Sequence, residues 1–171
     1  MATFSQRIVG AATLNVPTYE EVENDTSATG QAMAVVVLSS ISAGIGLWHG
    51  LITTFITGVV SALIAWLVWA VLVYLIGTKI LPQPQTQADV SQLLRTLGFA
   101  AAPGLLRFLG IIPILGPVFL LAISVWMLVA MIVAVRQALD YTSTLRALGV
   151  AVIGWLISIV VSLVLFRPVM F

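Results

Sequence analysis

Few side chains in this sequence could do chemistry. Four carboxylates, Glu20, Glu21, Glu23 and Asp25, stand together ahead of the first long apolar run. A calcium loop needs oxygens spaced along a fixed turn, usually with a glycine, and this stretch has no such pattern. It reads instead as a solvated helix or turn whose carboxylates could dock a partner. There is one histidine, His49, and no cysteine. That excludes disulfides and thiolate chemistry and leaves too little for a histidine metal cluster or a His-based triad. Ser61, Ser124 and Ser158 lie in apolar runs with no His, Asp or Glu to activate them. No catalytic residue, metal ligand or cofactor is predicted.

The cations offer a different chemistry. Arg95 and Arg107 fall near the two ends of an apolar run, where an arginine snorkels to the interface. Arg136 and Asp140 are four apart at a helix end and are expected to pair across one turn. Arg136 together with Lys79 and Arg146 could also contact anionic lipid head groups.

The elements that carry these residues belong in a membrane. Of 171 residues, 61% are hydrophobic and 8% charged, against about 25% charged in a soluble domain. Seven Lys and Arg and six Asp and Glu, for a net charge of +1, cannot cover a folded surface in water. They also rule out a nucleic-acid partner held by a basic face. A span needs about 20 apolar residues, and five runs qualify, at about 31–48, 51–81, 90–109, 114–139 and 143–166. The fold expected is an all-α, polytopic bundle of five transmembrane helices over 31–171.

Punctuation supports these limits. His49-Gly50 breaks the first run from the second, and Pro82-Gln83-Pro84-Gln85 closes the second. Asp89 and Gln92 form a capping box for the third, which Pro103 should kink, and Arg167-Pro168 ends the fifth. Small residues recur every four positions at Thr54, Gly58 and Ala62 and at Gly154, Ser158 and Ser162, a spacing that lets helices pack closely. Residues 1–30 form a polar N-terminal segment, in which 3–14, with Phe4, Ile8, Val9 and Leu14, suit a short amphipathic helix on the membrane surface. Arg7, Lys79, Arg95, Arg136 and Arg146 fall on one side of the bundle and Arg107 and Arg167 on the other. The positive-inside rule then places the N-terminus in the cytoplasm and the C-terminus outside.

With five spans and a short acidic entry segment, the order of motifs resembles the Yip family of membrane proteins. Eukaryotic members carry Gly-Tyr-x-x-x-Pro in a membrane helix, and Gly98, Phe99 and Pro103 stand at that spacing, with Phe for Tyr. The stretches Tyr19–Asp25 and Ala28–Ala32, and Val135–Leu139 followed by Arg146-Ala147, are similar to the corresponding parts of prokaryotic members. The resemblance covers about Tyr19 to Phe166. Eukaryotic relatives bind prenylated Rab-type GTPases in vesicle traffic, through a longer N-terminal region with an Asp-Leu-Tyr-Gly-Pro motif. Nothing here matches that motif, which leaves a small GTPase a doubtful partner. The short form is similar to prokaryotic members, which implies the cell membrane.

The function expected is a non-enzymatic scaffold or adaptor, including an accessory subunit of a larger membrane complex, with membrane lipids and other membrane proteins as partners. A small solute transporter or channel is the alternative. It wants ionisable groups at mid-membrane or paired broken helices, and the sequence offers one mid-span proline.

Overall fold

The computed structural model describes residues 2–46 and 52–165. Trp48, His49, Gly50, Arg167 and Pro168, and the side chains of Thr54 and Ser162, lie outside the described residues. The described chain is all α, and it opens with a helical hairpin. A capping box starts α1 (Phe4–Ala12): the Thr3 hydroxyl accepts from the Gln6 amide, and the Gln6 side chain accepts from the Thr3 amide at 2.8 Å. Asn15 caps α2 (Val16–Asn24), with Pro17 in its first turn, where a missing amide costs nothing. The reversal between them turns on Leu14, held at φ 62°.

Four of the apolar runs are long enough to cross a membrane: Ala28–Gly46, Gly58–Ile80, Val90–Ile111 and Gly116–Ala138. They correspond to α3 (Ala28–Gly46), α4 (Ile52–Leu75) with the turn that follows it, the third span, and α6 (Gly116–Ala138). A fifth apolar helix, α7 (Thr144–Leu165), follows a short turn after α6. The third span is the central one. Half of its most apolar stretch is buried, against 33% for the first span and 22% for the second and fourth.

Two spans depart from the regular helices expected. The run over 51–81 does not stay α-helical to its end, because Ile76–Ile80 form a π-helical turn closed by the Leu81 amide on the Ile76 carbonyl at 2.8 Å. The widened turn has local partners. The Tyr141 hydroxyl lies 3.0 Å from the Gly77 carbonyl and 2.7 Å from that of Leu81. A Cβ on Gly77 would fall 2.7 Å from Leu139 Cδ2, so a side chain there would require Leu139 to shift.

The run over 90–109 is not one kinked α-helix. It is α5 (Val90–Phe99), opened by the Asp89–Gln92 capping box, followed by a 3-10 helix over Ala102–Ile111. Pro103 has no amide to give the Phe99 carbonyl, so the i−4 ladder cannot continue. The change of pattern is visible in the bonds. The Ala100 amide still reaches Thr96 at 3.0 Å, whereas Ala101 bonds Gly98 at 3.2 Å and Gly104 bonds Ala101 at 2.9 Å. At about 2.0 Å rise per residue a 3-10 run is longer than an α-helix of equal count, which helps the span cross.

Candidate functional site

The Gly98-Phe99-Pro103 motif sits where three elements converge on the third span. A Cβ on Gly98 would fall 2.7 Å from Ala32 Cβ, so the glycine lets α3 pack backbone to backbone. Phe99 is wholly buried and meets Phe4 of α1 edge to face, ring centroids 6.4 Å apart. Pro103 is buried beside Gly104, whose missing side chain leaves room for Ser39 and Met127. Ser42 of α3 then bonds the backbone of the 3-10 run beyond the proline. Its hydroxyl donates to the Leu105 carbonyl at 2.7 Å and accepts from the Phe108 amide at 2.8 Å.

The N-terminal hairpin is fastened to this framework by two buried arginines. Arg7, only 2% exposed, pairs with Glu21 at 2.9 Å and Asp25 at 2.6 Å and donates to Gln31 of α3 at 3.0 Å. Burial works against its charge, but the bonds to Glu21 and Asp25 outweigh that and hold the guanidinium charged. The Asp25 carboxyl, bonded first by the Ser27 hydroxyl and then by Arg7, is held down at about 2. Glu21 is lowered chiefly by Arg7.

Arg95 does not snorkel to an interface. It is 4% exposed, and its guanidinium donates to the Val22 carbonyl at 3.0 Å, to the Glu23 carbonyl, and to Ser91 Oγ at 2.6 Å. Those carbonyls close α2, where the helix dipole is negative and a cation is favoured. The four carboxylates therefore do not stand as one solvated group. Glu20 is exposed, Glu21 and Asp25 hold Arg7, and Glu23 is buried. Burial, and next the Asp140 charge, push the Glu23 carboxyl up to about 7, with Arg95 pulling the other way. The helix α1 packs on the bundle. Phe4 and Ile8 pack on the core, and the Trp126 indole of α6 donates to the Ala12 carbonyl at 2.7 Å.

Lys79, Arg136 and Arg146 come together at one end of the bundle, on the π-helical turn, the end of α6 and the start of α7. Arg136 does not pair with Asp140. The helix stops at Ala138 and Asp140 turns left-handed at φ 52°, which destroys the four-residue spacing. Arg136 instead bonds the Tyr141 carbonyl and Thr144 Oγ1, both at 3.2 Å, and Arg146 bonds the Pro82 carbonyl at 3.3 Å. Lys79 is exposed. Arg107, near the opposite end, is half-buried.

The small-residue positions divide. Gly154 of α7 meets the Trp69 ring of α4, to which a Cβ would come within 3.0 Å, so that pair packs inside the chain. Gly58 faces open space. Between α4 and α6, over the third span, lies an open apolar groove of about 290 Å³ lined by Trp66, Trp69, Leu97, Ala101, Met127 and Met131 among others. Trp66 at its edge donates to the Leu94 carbonyl at 3.1 Å.

The sequence matches the Yip1 domain over residues 16–166, which takes in the third-span motif, α2 and every span. The chain belongs to the Yip1 domain family. No curated protein and no solved structure matches it. The Yip1 domain match begins at the first residue of α2, so α1, including Arg7 and Phe4, lies outside it. Sequence reasoning missed the roles of Arg7, Ser42, Trp66, Trp126 and Tyr141, each of which bonds a partner at least 14 positions away. The Asn15 cap and Pro17 were the local signals that could have marked α2.

Proposed function

We propose that this multi-pass Yip1 domain protein is a non-enzymatic membrane scaffold or adaptor, including an accessory subunit of a larger complex, that works through contacts with membrane proteins and lipids. One observation carries the reading: five polar groups that enter the bundle fasten its own backbone, while the buried Trp69 indole nitrogen finds no partner among the described residues. Arg95 holds the end of α2, Ser42 the 3-10 run, Trp66 the Leu94 carbonyl, Trp126 the Ala12 carbonyl and Tyr141 the π-helical turn. Groups used in this way make a rigid core that presents its outer faces. A transporter or channel would turn such groups toward a path for solute.

In this proposal the N-terminus is cytoplasmic, and exposed Lys79 and Arg146, with half-buried Arg136, meet anionic head groups at that face. Exposed Glu20 is the member of the acidic stretch left to touch a partner, with Glu21, Glu23 and Asp25 shaping the hairpin that presents it. Photo-crosslinking from the lipid-facing side of α4 in native membranes, with mass spectrometry of the adducts, should give defined partner proteins at stoichiometric yield. A chain that crosslinks to lipid alone and drives solute flux in vesicles would replace the scaffold with the transporter.

A further inference from the structure

The connection between the third span and α6 is chemically unlike the one that precedes α5. From Phe108 to Ile123 no side chain is charged or polar, whereas residues 82–89 read Pro-Gln-Pro-Gln-Thr-Gln-Ala-Asp. The apolar turn is not tucked inside the protein. Ile114 is 92% exposed, and Ile111, Leu115 and Val118 are exposed beside it. Ile114 also holds φ 68°, a left-handed conformation that a β-branched residue rarely adopts. The Leu14 turn shares this conformation, but its side chain packs on the core, whereas that of Ile114 stands clear of the protein.

The backbone of the turn is equally unusual. Pro113 and Pro117 carry no amide hydrogen, and the amides of Ile112, Leu115, Gly116 and Phe119 all meet backbone carbonyls, at 3.2, 2.8, 2.7 and 3.0 Å. Among residues 112–119 this leaves only Ile114 and Val118 with amides that find no backbone carbonyl among the described residues. Gly110 and Gly116 close the turn so tightly that a Cβ on Gly116 would overlap the Gly110 carbonyl. Water or a protein partner would supply acceptors to free amides, so neither requires them to be removed. Hydrocarbon supplies none and each free donor there is costly, so the two that remain, on Ile114 and Val118, keep the backbone of the turn at the hydrated edge of the acyl-chain layer while its side chains reach inward.

From these two properties, we infer that the Ile111–Val118 turn is seated in lipid, at the edge of the acyl-chain layer, with Ile114 inserted among the chains. Arg107, half-buried on the same span, has the long apolar stem that lets a guanidinium reach the phosphate level beside a seated turn. The third span and α6 thus form a hairpin that ends within the membrane boundary, while the Pro82–Asp89 loop at the opposite end stands in water.

The chain has no cysteine, so single reporters are unambiguous. Ile114→Cys, Leu115→Cys and, as the water-side reference, Gln85→Cys would each be labelled with an environment-sensitive fluorophore. The full-length protein is then placed in phosphatidylcholine vesicles. Quenching by iodide, present on both sides, is compared with quenching by lipid spin-labelled near the acyl carbonyl. At 114 and 115 the lipid quencher should act several-fold more strongly than iodide, with blue-shifted emission, and at 85 the order should reverse. If iodide quenches at 114 and 115 as it does at 85, the turn stands in water, or is a docking knob for a protein absent from the vesicles, and the inference fails. Labelling at two neighbouring positions guards against disturbance by either label.

Discussion

The two halves of the third span are held by different chemistry. The α-helical half, Val90–Phe99, is clasped by a full charge, the Arg95 guanidinium on the carbonyls that end α2. The 3-10 half, Ala102–Ile111, is held by close approach at Gly104 and by one neutral hydroxyl, Ser42, which serves both a carbonyl and an amide. The difference follows from what each half can reach. Near the N-terminal hairpin a cation finds the negative end of a helix. Between Pro103 and Arg107 there is no such counterpart among the described residues, and a charge would be costly, so the backbone is held by a hydroxyl and by steric fit.

The contrast is broken most severely from the steric side. Gly104→Leu places a side chain where Ser39 and Met127 already stand, since a Cβ alone would fall 3.0 Å from Met127 Sδ and closer still to Ser39 Oγ. Overpacking commonly costs 1–3 kcal/mol; Met127 borders the open groove and can shift, but the short Ser39 side chain cannot retreat far, so this variant should lose about 3 kcal/mol. Yield and thermal midpoint in mild detergent measure it. Gly104→Ala should be milder but still clearly destabilised, and a wild-type midpoint for the alanine would refute the steric account.

From the charged side, Arg95→Met keeps the volume and removes the donors. The Val22 and Glu23 carbonyls would be left unpaired, for a loss of about 2–3 kcal/mol. The effect should fall on the hairpin, so a Glu-specific protease should cut at Glu20–Glu23 faster than in the wild type while the spans stay intact. Unchanged protection would mean that Arg95 does not clasp α2.

The charged clasp was also what sequence could least foresee. Five apolar runs are legible from composition, and the Asp89–Gln92 cap and the break at Pro103 are legible because both are local. That Pro103 is followed by a 3-10 run bonded by Ser42 of α3 reflects a contact between different elements, which no local pattern shows. Arg95, six positions after Asp89, looks like an interface anchor until α2 folds back over it. The carboxylates look like one solvated cluster until Arg7, 14 positions before Glu21, turns inward. Motif position was readable, but the partners of Gly98, Phe99 and Pro103 were not.

Protons sharpen the comparison on the charged half alone. Glu23 has an ordinary value of 4.5 and is raised to about 7 by burial, so the folded hairpin holds a proton that the unfolded chain releases. Its contribution is fully present below about pH 4.5 and is lost as pH rises through about 7. Asp25 and Glu21, both lowered, act oppositely and lose their contribution only in stronger acid, Asp25 as pH falls from 3.8 through about 2. Hairpin stability should therefore peak on the acid side of neutrality and fall by about 2 kcal/mol between pH 5 and 8. Glu23→Gln should flatten that fall. Protease protection measured against pH would show it, and a Gln variant with the wild-type slope would remove Glu23 from the account.

The smallest effect tests the 3-10 half by its hydroxyl. Ser42→Ala removes one neutral group that bonds both the Leu105 carbonyl and the Phe108 amide, a loss of about 1 kcal/mol. Thermal midpoint alone could confuse this with a packing change, so amide exchange at Phe108 is the better reading. Exchange there should quicken while the α-helical half, clasped by Arg95, keeps its rate. Were both halves to quicken together, the third span would behave as one cooperative unit, and the division of labour between charge and hydroxyl would have no energetic meaning.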